Sequence, residues 1–89
     1  MINQLADRLR LLRHEKNKTQ NALAQIILVP RVTYAHYELG KRTPDLDTII
    51  RLARFYNVTV DYLIGNSDHR VPDDPYDSGE MAPAKIAEE

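Results

Sequence analysis

Side chains that recognise nucleic acids are concentrated in one short part of the chain, residues 18–42. They comprise a guanidinium beside a proline, an amide, hydroxyls, an imidazole and a basic Lys41-Arg42 pair. Arg31 is the most specific of them, because its planar fork matches the O6 and N7 acceptors of guanine. A phosphate contact or a solvated charge is the alternative for Arg31. The segment therefore predicts a surface that contacts DNA bases and phosphates.

Other chemistry has little support in the sequence. No nucleophile–base pair or phosphate-binding glycine loop is present, and His14, His36 and His69 are not at metal-ligand spacing. The chain has no cysteine, so disulfides and thiolate catalysis are excluded. We therefore expect no enzyme activity, no cofactor and no metal.

Length and composition indicate one small globular domain. The 89 residues are 28% charged and 43% hydrophobic, which leaves little room for a second core. The N-terminus alternates charges with leucines and lacks the apolar stretch of a signal peptide. No apolar run is long enough to span a membrane, and we expect a cytoplasmic protein.

The near-neutral net charge of −1 conceals two regions of opposite sign. Residues 1–65 contain ten Lys/Arg and six Asp/Glu, whereas residues 66–89 contain two and seven. A basic body is compatible with a nucleic-acid partner. The second region has three prolines and few large apolar groups, so we predict a domain at 1–65 and an acidic tail at 66–89. The tail is solvated, is the stub of a sensor domain, covers the basic face, or binds a protein partner.

The hydrophobic pattern predicts helices throughout the body. Leucines at three- and four-residue steps indicate a helix from about residue 3 to 15. Thr19, Asp45 and Thr59 are expected N-caps of later helices, and Gly40 is an expected left-handed terminator. Two short helices, at about 20–27 and 30–39, would pack through their apolar side chains: Leu23, Ala24, Ile27, Val29, Tyr34 and Tyr37. The prediction is an all-α fold.

These motifs together resemble the Cro/CI-type (XRE-family, lambda-repressor-like) helix-turn-helix domain. The resemblance covers roughly residues 5–65 and rests on four motifs in order: RLRLLR (8–13), TQNALA (19–24), Y-x-x-YE-x-GKR-x-P (34–44) and NVTVDYLIG (57–65). It implies a compact five-helix domain whose second and third helices form the DNA-reading unit. The family usually has Gly where this chain has Leu28, and Ser or Thr where it has Pro30. Leu28 therefore implies either a backbone cost of about 1–2 kcal/mol or a turn of different shape.

The resemblance also implies roles for individual residues. Base reading is expected from five side chains, of which Val32 suits a thymine methyl group: Gln20, Arg31, Val32, Thr33 and His36. Phosphate contacts are expected from Lys18, Lys41 and Arg42. An ion pair between Arg13 and Glu38 would tie the first helix to the third, and a dimer contact is expected from Tyr56, Val58, Tyr62 and Ile64.

The resulting hypothesis is a sequence-specific DNA-binding transcriptional regulator, a dimeric repressor of phage or prophage type on a palindromic double-stranded operator. The antitoxin of a toxin–antitoxin pair and the controller protein of a restriction–modification system are alternatives that use the same module. A protein-interaction module that does not bind DNA is the alternative from another class.

Overall fold

The computed structural model describes residues 2–72 of the chain. Within them the fold consists of five helices and no strand, as predicted. The helices are α1 (Ile2–Glu15), α2 (Gln20–Ile26), α3 (Arg31–Leu39), α4 (Leu46–Tyr56) and α5 (Val60–Leu63). None of them is long and apolar enough to cross a membrane.

Three of the helices begin at the side-chain caps that the sequence predicts. The Thr19 hydroxyl accepts a hydrogen bond from the Ala22 amide at 3.0 Å, and an Asp45 carboxylate oxygen accepts one from Thr48 at 2.9 Å. The Thr59 hydroxyl accepts a hydrogen bond from the Tyr62 amide at 2.8 Å. Helix α3 instead starts after Pro30, which contributes an extended backbone and no side-chain hydrogen bond. Each cap satisfies an amide that the first helical turn leaves unpaired.

All five described helices end in the same backbone arrangement, the Schellman motif. One residue after each helix adopts positive φ, and the last turn is closed by two backbone hydrogen bonds. The positive-φ residues are Asn17 (56°), Leu28 (64°), Gly40 (76°), Asn57 (56°) and Gly65 (87°). Leu28 therefore adopts the left-handed conformation, and the turn between α2 and α3 keeps the shape that a glycine would give it.

The core is formed by apolar side chains from every helix. Leu9, Leu23, Tyr34, Leu52 and Leu63 have no exposed surface, and they come from α1 to α5 in turn. Because the five helices bury one shared cluster, the orientation of each short helix depends on its neighbours. The 7-residue α2 would be marginal by itself.

The residues that directly follow α5, which the sequence analysis assigns to the tail, pack against α1. The Arg8 guanidinium donates to the carbonyl oxygen of Ser67 at 2.9 Å and to the carboxylate of Asp68 at 2.9 Å. Arg70 binds the carboxylate of Glu15, one hydrogen bond being 3.2 Å long. We call residues 66–72 the C-terminal strap. Its contacts come from a few polar groups, which leave no apolar pattern in the sequence.

The strap runs along α1 from its N-terminal half to its C-terminal end. Gly65, just before the strap, approaches α1 so closely that an added Cβ would lie 2.8 Å from the Cβ of Gln4. The Arg8 and Glu15 contacts follow in order, and residues 4 and 15 are roughly 16 Å apart along a helix. The remaining residues of the predicted tail, 73–89, lie outside the described residues. The protein-binding role considered for them stays a prediction.

Candidate nucleic-acid interface

Helices α2 and α3 form a two-helix unit with one buried and one exposed face. The apolar residues predicted to join them are buried, except Val29, which is partly buried against the core. The turn is closed by hydrogen bonds from Leu28 to Gln25 (3.3 Å) and from Val29 to Ala24 (3.0 Å). The opposite face of α3 is left for a partner.

The four α3 residues predicted to read bases lie on this unit with part of each side chain accessible. Arg31 is exposed and Val32 is 58% exposed, both in the first turn of the helix. Thr33 and His36 are partly buried. Their accessibility permits contact with a ligand; which of them contacts DNA stays a prediction.

The predicted phosphate-binding residues lie on both sides of the two-helix unit. Lys41 and Arg42 are exposed, and their backbone amides donate to the His36 carbonyl at 2.9 and 3.3 Å. These bonds attach the basic turn to the last turn of α3. Lys18 is exposed just before α2, and its carbonyl accepts a 3.0 Å hydrogen bond from Arg13. Cations of this kind suit the sugar–phosphate backbone.

Glu38 joins three helices beneath this surface. It is only 2% exposed, and Arg13 donates to its two oxygens from Nε at 2.6 Å and from the guanidinium end at 3.0 Å. The Gln20 amide donates to the same carboxylate at 3.1 Å. The predicted ion pair between Arg13 and Glu38 is therefore present, and Gln20 braces α3 from the start of α2.

Hydrogen bonding keeps Glu38 ionised despite its burial. Burial by itself raises the pKa of this carboxyl, but the hydrogen bonds it accepts, foremost that from Arg13, outweigh this effect and lower the pKa below 4.5. The hydrogen bond to Glu38 also raises the pKa of Arg13. Both partners are thus charged at neutral pH.

Two tyrosine hydroxyls are buried near the same carboxylate. Neither hydroxyl makes a hydrogen bond of normal geometry among the described residues, although that of Tyr34 lies within interaction range of the Glu38 carboxylate and of Tyr56. Burial, followed by the proximity of Glu38, raises the pKa of each phenol. Tyr34 was predicted to belong to the core, and its hydroxyl does not emerge toward solvent.

Arg10 is a further connection between α1 and α3 that the sequence did not single out. Its guanidinium donates to the Glu38 carbonyl oxygen and to the Asp7 carboxylate. Its position three residues before Arg13 was the available signal, since residues at this spacing share one face of a helix. Arg10 and Arg13 therefore both attach the C-terminal half of α3 to α1.

Most of the residues predicted to form a dimer contact are packed inside the single chain. Tyr56, Val58 and Tyr62 are 1–8% exposed, and Ile64 is partly buried against the core. The Tyr62 ring lies under the Arg8 guanidinium, 4.1 Å from its centre. These side chains offer little surface to a second copy, and a dimer contact through them stays a prediction.

Two packed helices joined by a tight turn, the second of them with an exposed polar face, define a helix-turn-helix protein. The chain belongs to the helix-turn-helix family, whose model matches residues 9–63. The candidate interface from Lys18 to Arg42 lies within this match.

Named relatives and a solved structure agree with this family. The chain is 40% identical over 65 residues to YobD, an uncharacterised HTH-type transcriptional regulator of Bacillus subtilis, covering 73% of this chain and 58% of YobD. It is 35% identical over 66 residues to RstR, a cryptic phage CTXphi transcriptional repressor of Vibrio cholerae, covering 74% and 60%. The crystal structure of a transcriptional regulator from Listeria innocua superposes with a TM-score of 0.70 at 27% identity, over 94% of this chain and 88% of that one. The matches thus span little more than half the length of the curated relatives.

Proposed function

We propose that this protein is a sequence-specific DNA-binding transcriptional regulator that places α3 in the major groove of double-stranded DNA. The observation that carries the proposal is the rigid mounting of α3. Glu38, bonded to Arg13 and Gln20, fixes the helix from behind while Arg31 and Val32 remain exposed in its first turn. A helix that reads bases needs this combination of accessibility and fixed orientation.

The regulator acts as a homodimeric repressor of phage or prophage type. Two copies would present two α3 helices to successive major grooves, with half-sites about 34–36 Å apart on a palindromic operator. The similarity to the phage repressor RstR supports this sign of regulation. Its place of action is the cytoplasm, where the DNA lies.

In vitro selection of DNA from a random library is the experiment that tests the proposal. We expect an enriched palindrome with two half-sites one helical turn apart. The purified protein should then bind that sequence at least about a thousandfold more tightly than random DNA. Selection without an enriched sequence would refute sequence-specific binding, and enrichment of a single half-site would refute the palindromic dimer.

Two substitutions separate base reading from phosphate contact. Arg31→Ala should cost about 1–3 kcal/mol of binding free energy and relax the preference at one base pair of each half-site. Lys41→Gln should weaken binding to all sequences alike and reduce the salt dependence by roughly one counterion per subunit. Fluorescence anisotropy at several salt concentrations, on the selected sequence and its single-base variants, distinguishes the two patterns.

A further inference from the structure

Leu28 stands out from the other residues that end the described helices. Four of the five positive-φ positions hold Asn or Gly, whereas α2 ends with a leucine at φ 64°. Asn and Gly adopt this conformation readily, but leucine, which carries an aliphatic side chain on Cβ, does not, and the penalty is roughly 1–2 kcal/mol. The chain thus has a residue that favours positive φ at every equivalent turn except this one.

Packing does not explain the leucine either. Leu28 is 77% exposed, more than any other large hydrophobic side chain in the described part of the chain. Its backbone makes the hydrogen bonds of the turn, which any residue can supply. The side chain therefore neither eases the turn nor fills the core.

The surroundings of Leu28 indicate what kind of partner its side chain suits. Pro30 and Arg31 are exposed, Val32 is 58% exposed, and all follow Leu28 within four residues at the N-terminal end of α3. Four residues span at most about 14 Å, roughly four base-pair steps of about 3.4 Å, so Leu28 and Val32 can contact one half-site. Every exposed charge between residues 18 and 42 is cationic, which favours a polyanion over an acidic or a purely apolar protein surface: Lys18, Arg31, Lys41 and Arg42.

We propose that Leu28 is a specificity-determining residue that packs, with Val32, against thymine methyl groups at the edge of each operator half-site. The thymine C5-methyl is the apolar group on the base edges of the major groove, so an exposed leucine and valine there select T·A pairs. This inference rests on the proposed function and adds the base composition that the N-terminal end of α3 prefers.

The test combines substitutions at Leu28 with removal of the methyl groups from DNA. The protein variants are Leu28→Gly and Leu28→Asn, with Leu11→Ala as a control for loss of an exposed leucine on α1. The DNA probes are the selected operator and the same operator with uracil in place of thymine. Binding is measured by fluorescence anisotropy, and folding stability by urea unfolding of the same samples.

We expect both Leu28 variants to unfold at higher urea concentration yet to bind the operator more weakly. The loss should be roughly fourfold for each methyl group that the side chain covers. Uracil substitution should weaken binding of the original protein by a similar factor, and should affect the Leu28 variants less. Leu11→Ala should bind as tightly as the original protein.

Several results would overturn the inference. They are unchanged operator affinity in the Leu28 variants, an original protein that binds uracil and thymine operators equally, or equal losses on uracil DNA in all proteins. These results differ from a failure of the proposed function, in which the original protein would select no sequence at all. That outcome would reject Leu28 as a specificity residue as well.

Discussion

Glu38 shows how one buried carboxylate is retained in a small core. A charged group that is 2% exposed is destabilising unless its oxygens are paired. Arg13 and Gln20 supply three hydrogen bonds to it from two other helices. The resulting geometry orients α3 more narrowly than apolar contacts would, because each hydrogen bond requires a particular direction.

Glu38→Gln should destabilise the fold by about 3 kcal/mol at pH 7, because Arg13 would be left partly buried without an anion. The folded-state pKa of Glu38 is lowered from its ordinary value, so its contribution is present above the unfolded-state pKa and is lost as the pH falls through the lower folded-state pKa. The stability difference between the two proteins should therefore narrow in acid. Urea unfolding at pH 7 and at a series of lower pH values measures both effects.

Asp7→Asn is the matched control for this prediction. Asp7 pairs with Arg10 on the surface, where its side chain is 66% exposed, and exposed pairs contribute less than about 1 kcal/mol. Equal destabilisation by the two substitutions, or a difference that does not change with pH, would contradict the role assigned to Glu38.

The resemblance of the sequence to a known family predicted the partner of Glu38 but not its whole environment. Arg13 and Glu38 fall at positions where the family forms an ion pair, and the pair is present. The buried Tyr34 and Tyr56 hydroxyls beside it depend on how α3 and α4 meet across the core. A contact between residues 22 positions apart, such as Tyr34 and Tyr56, leaves no local pattern in a sequence.

At the scale of helices, prediction succeeded where the determining interaction is local. Thr19, Asp45 and Thr59 cap their helices through amides three residues later, so each cap can be recognised within one turn. The sequence did not decide between two shapes for the turn at Leu28, because leucine disfavours the left-handed conformation that the adjoining helices require. Tertiary packing of α2 against α3 decided it.

The C-terminal strap makes a prediction at the same scale. Arg8 holds Ser67 and Asp68 and stacks on Tyr62, so Arg8→Met should release the strap while keeping most of the apolar stem. The Thr59 amide, which donates to Arg70 at 3.0 Å, should then exchange with solvent on the order of tenfold faster. Amide hydrogen exchange resolved by residue is the measurement.

Arg51→Met controls for the loss of an arginine without loss of the strap. Arg51 is exposed on α4 and bonds only locally to the Thr48 hydroxyl among the contacts described, at 3.2 Å. Its variant should leave Thr59 exchange unchanged. If Arg8→Met also leaves it unchanged, the strap is held by Arg70 and Glu15 rather than by Arg8.

On the scale of the whole molecule, the strap brings opposite charges close together. Arg70 is bound to Glu15 at the end of α1, only three residues before Lys18. Residues 73–89 carry six acids and one lysine, and Asp74 is separated from Arg70 by at most about 14 Å of chain. Acidic side chains that begin so near the proposed phosphate contacts should compete with DNA.

Neutralising Asp73, Asp74, Asp77 and Glu80 as Asn or Gln should therefore tighten DNA binding several-fold at low ionic strength. The difference should fall as salt is added, since exposed charges are screened beyond about 10 Å at 0.1 M. Anisotropy with random-sequence DNA between 50 and 500 mM salt, concentrations chosen to span this range, measures it. Glu88→Gln with Glu89→Gln is the control at the far end of the chain and should have a smaller effect. Unchanged affinity at low salt in the four-acid variant would show that these acids do not compete, and weaker binding would show that they support the DNA complex instead.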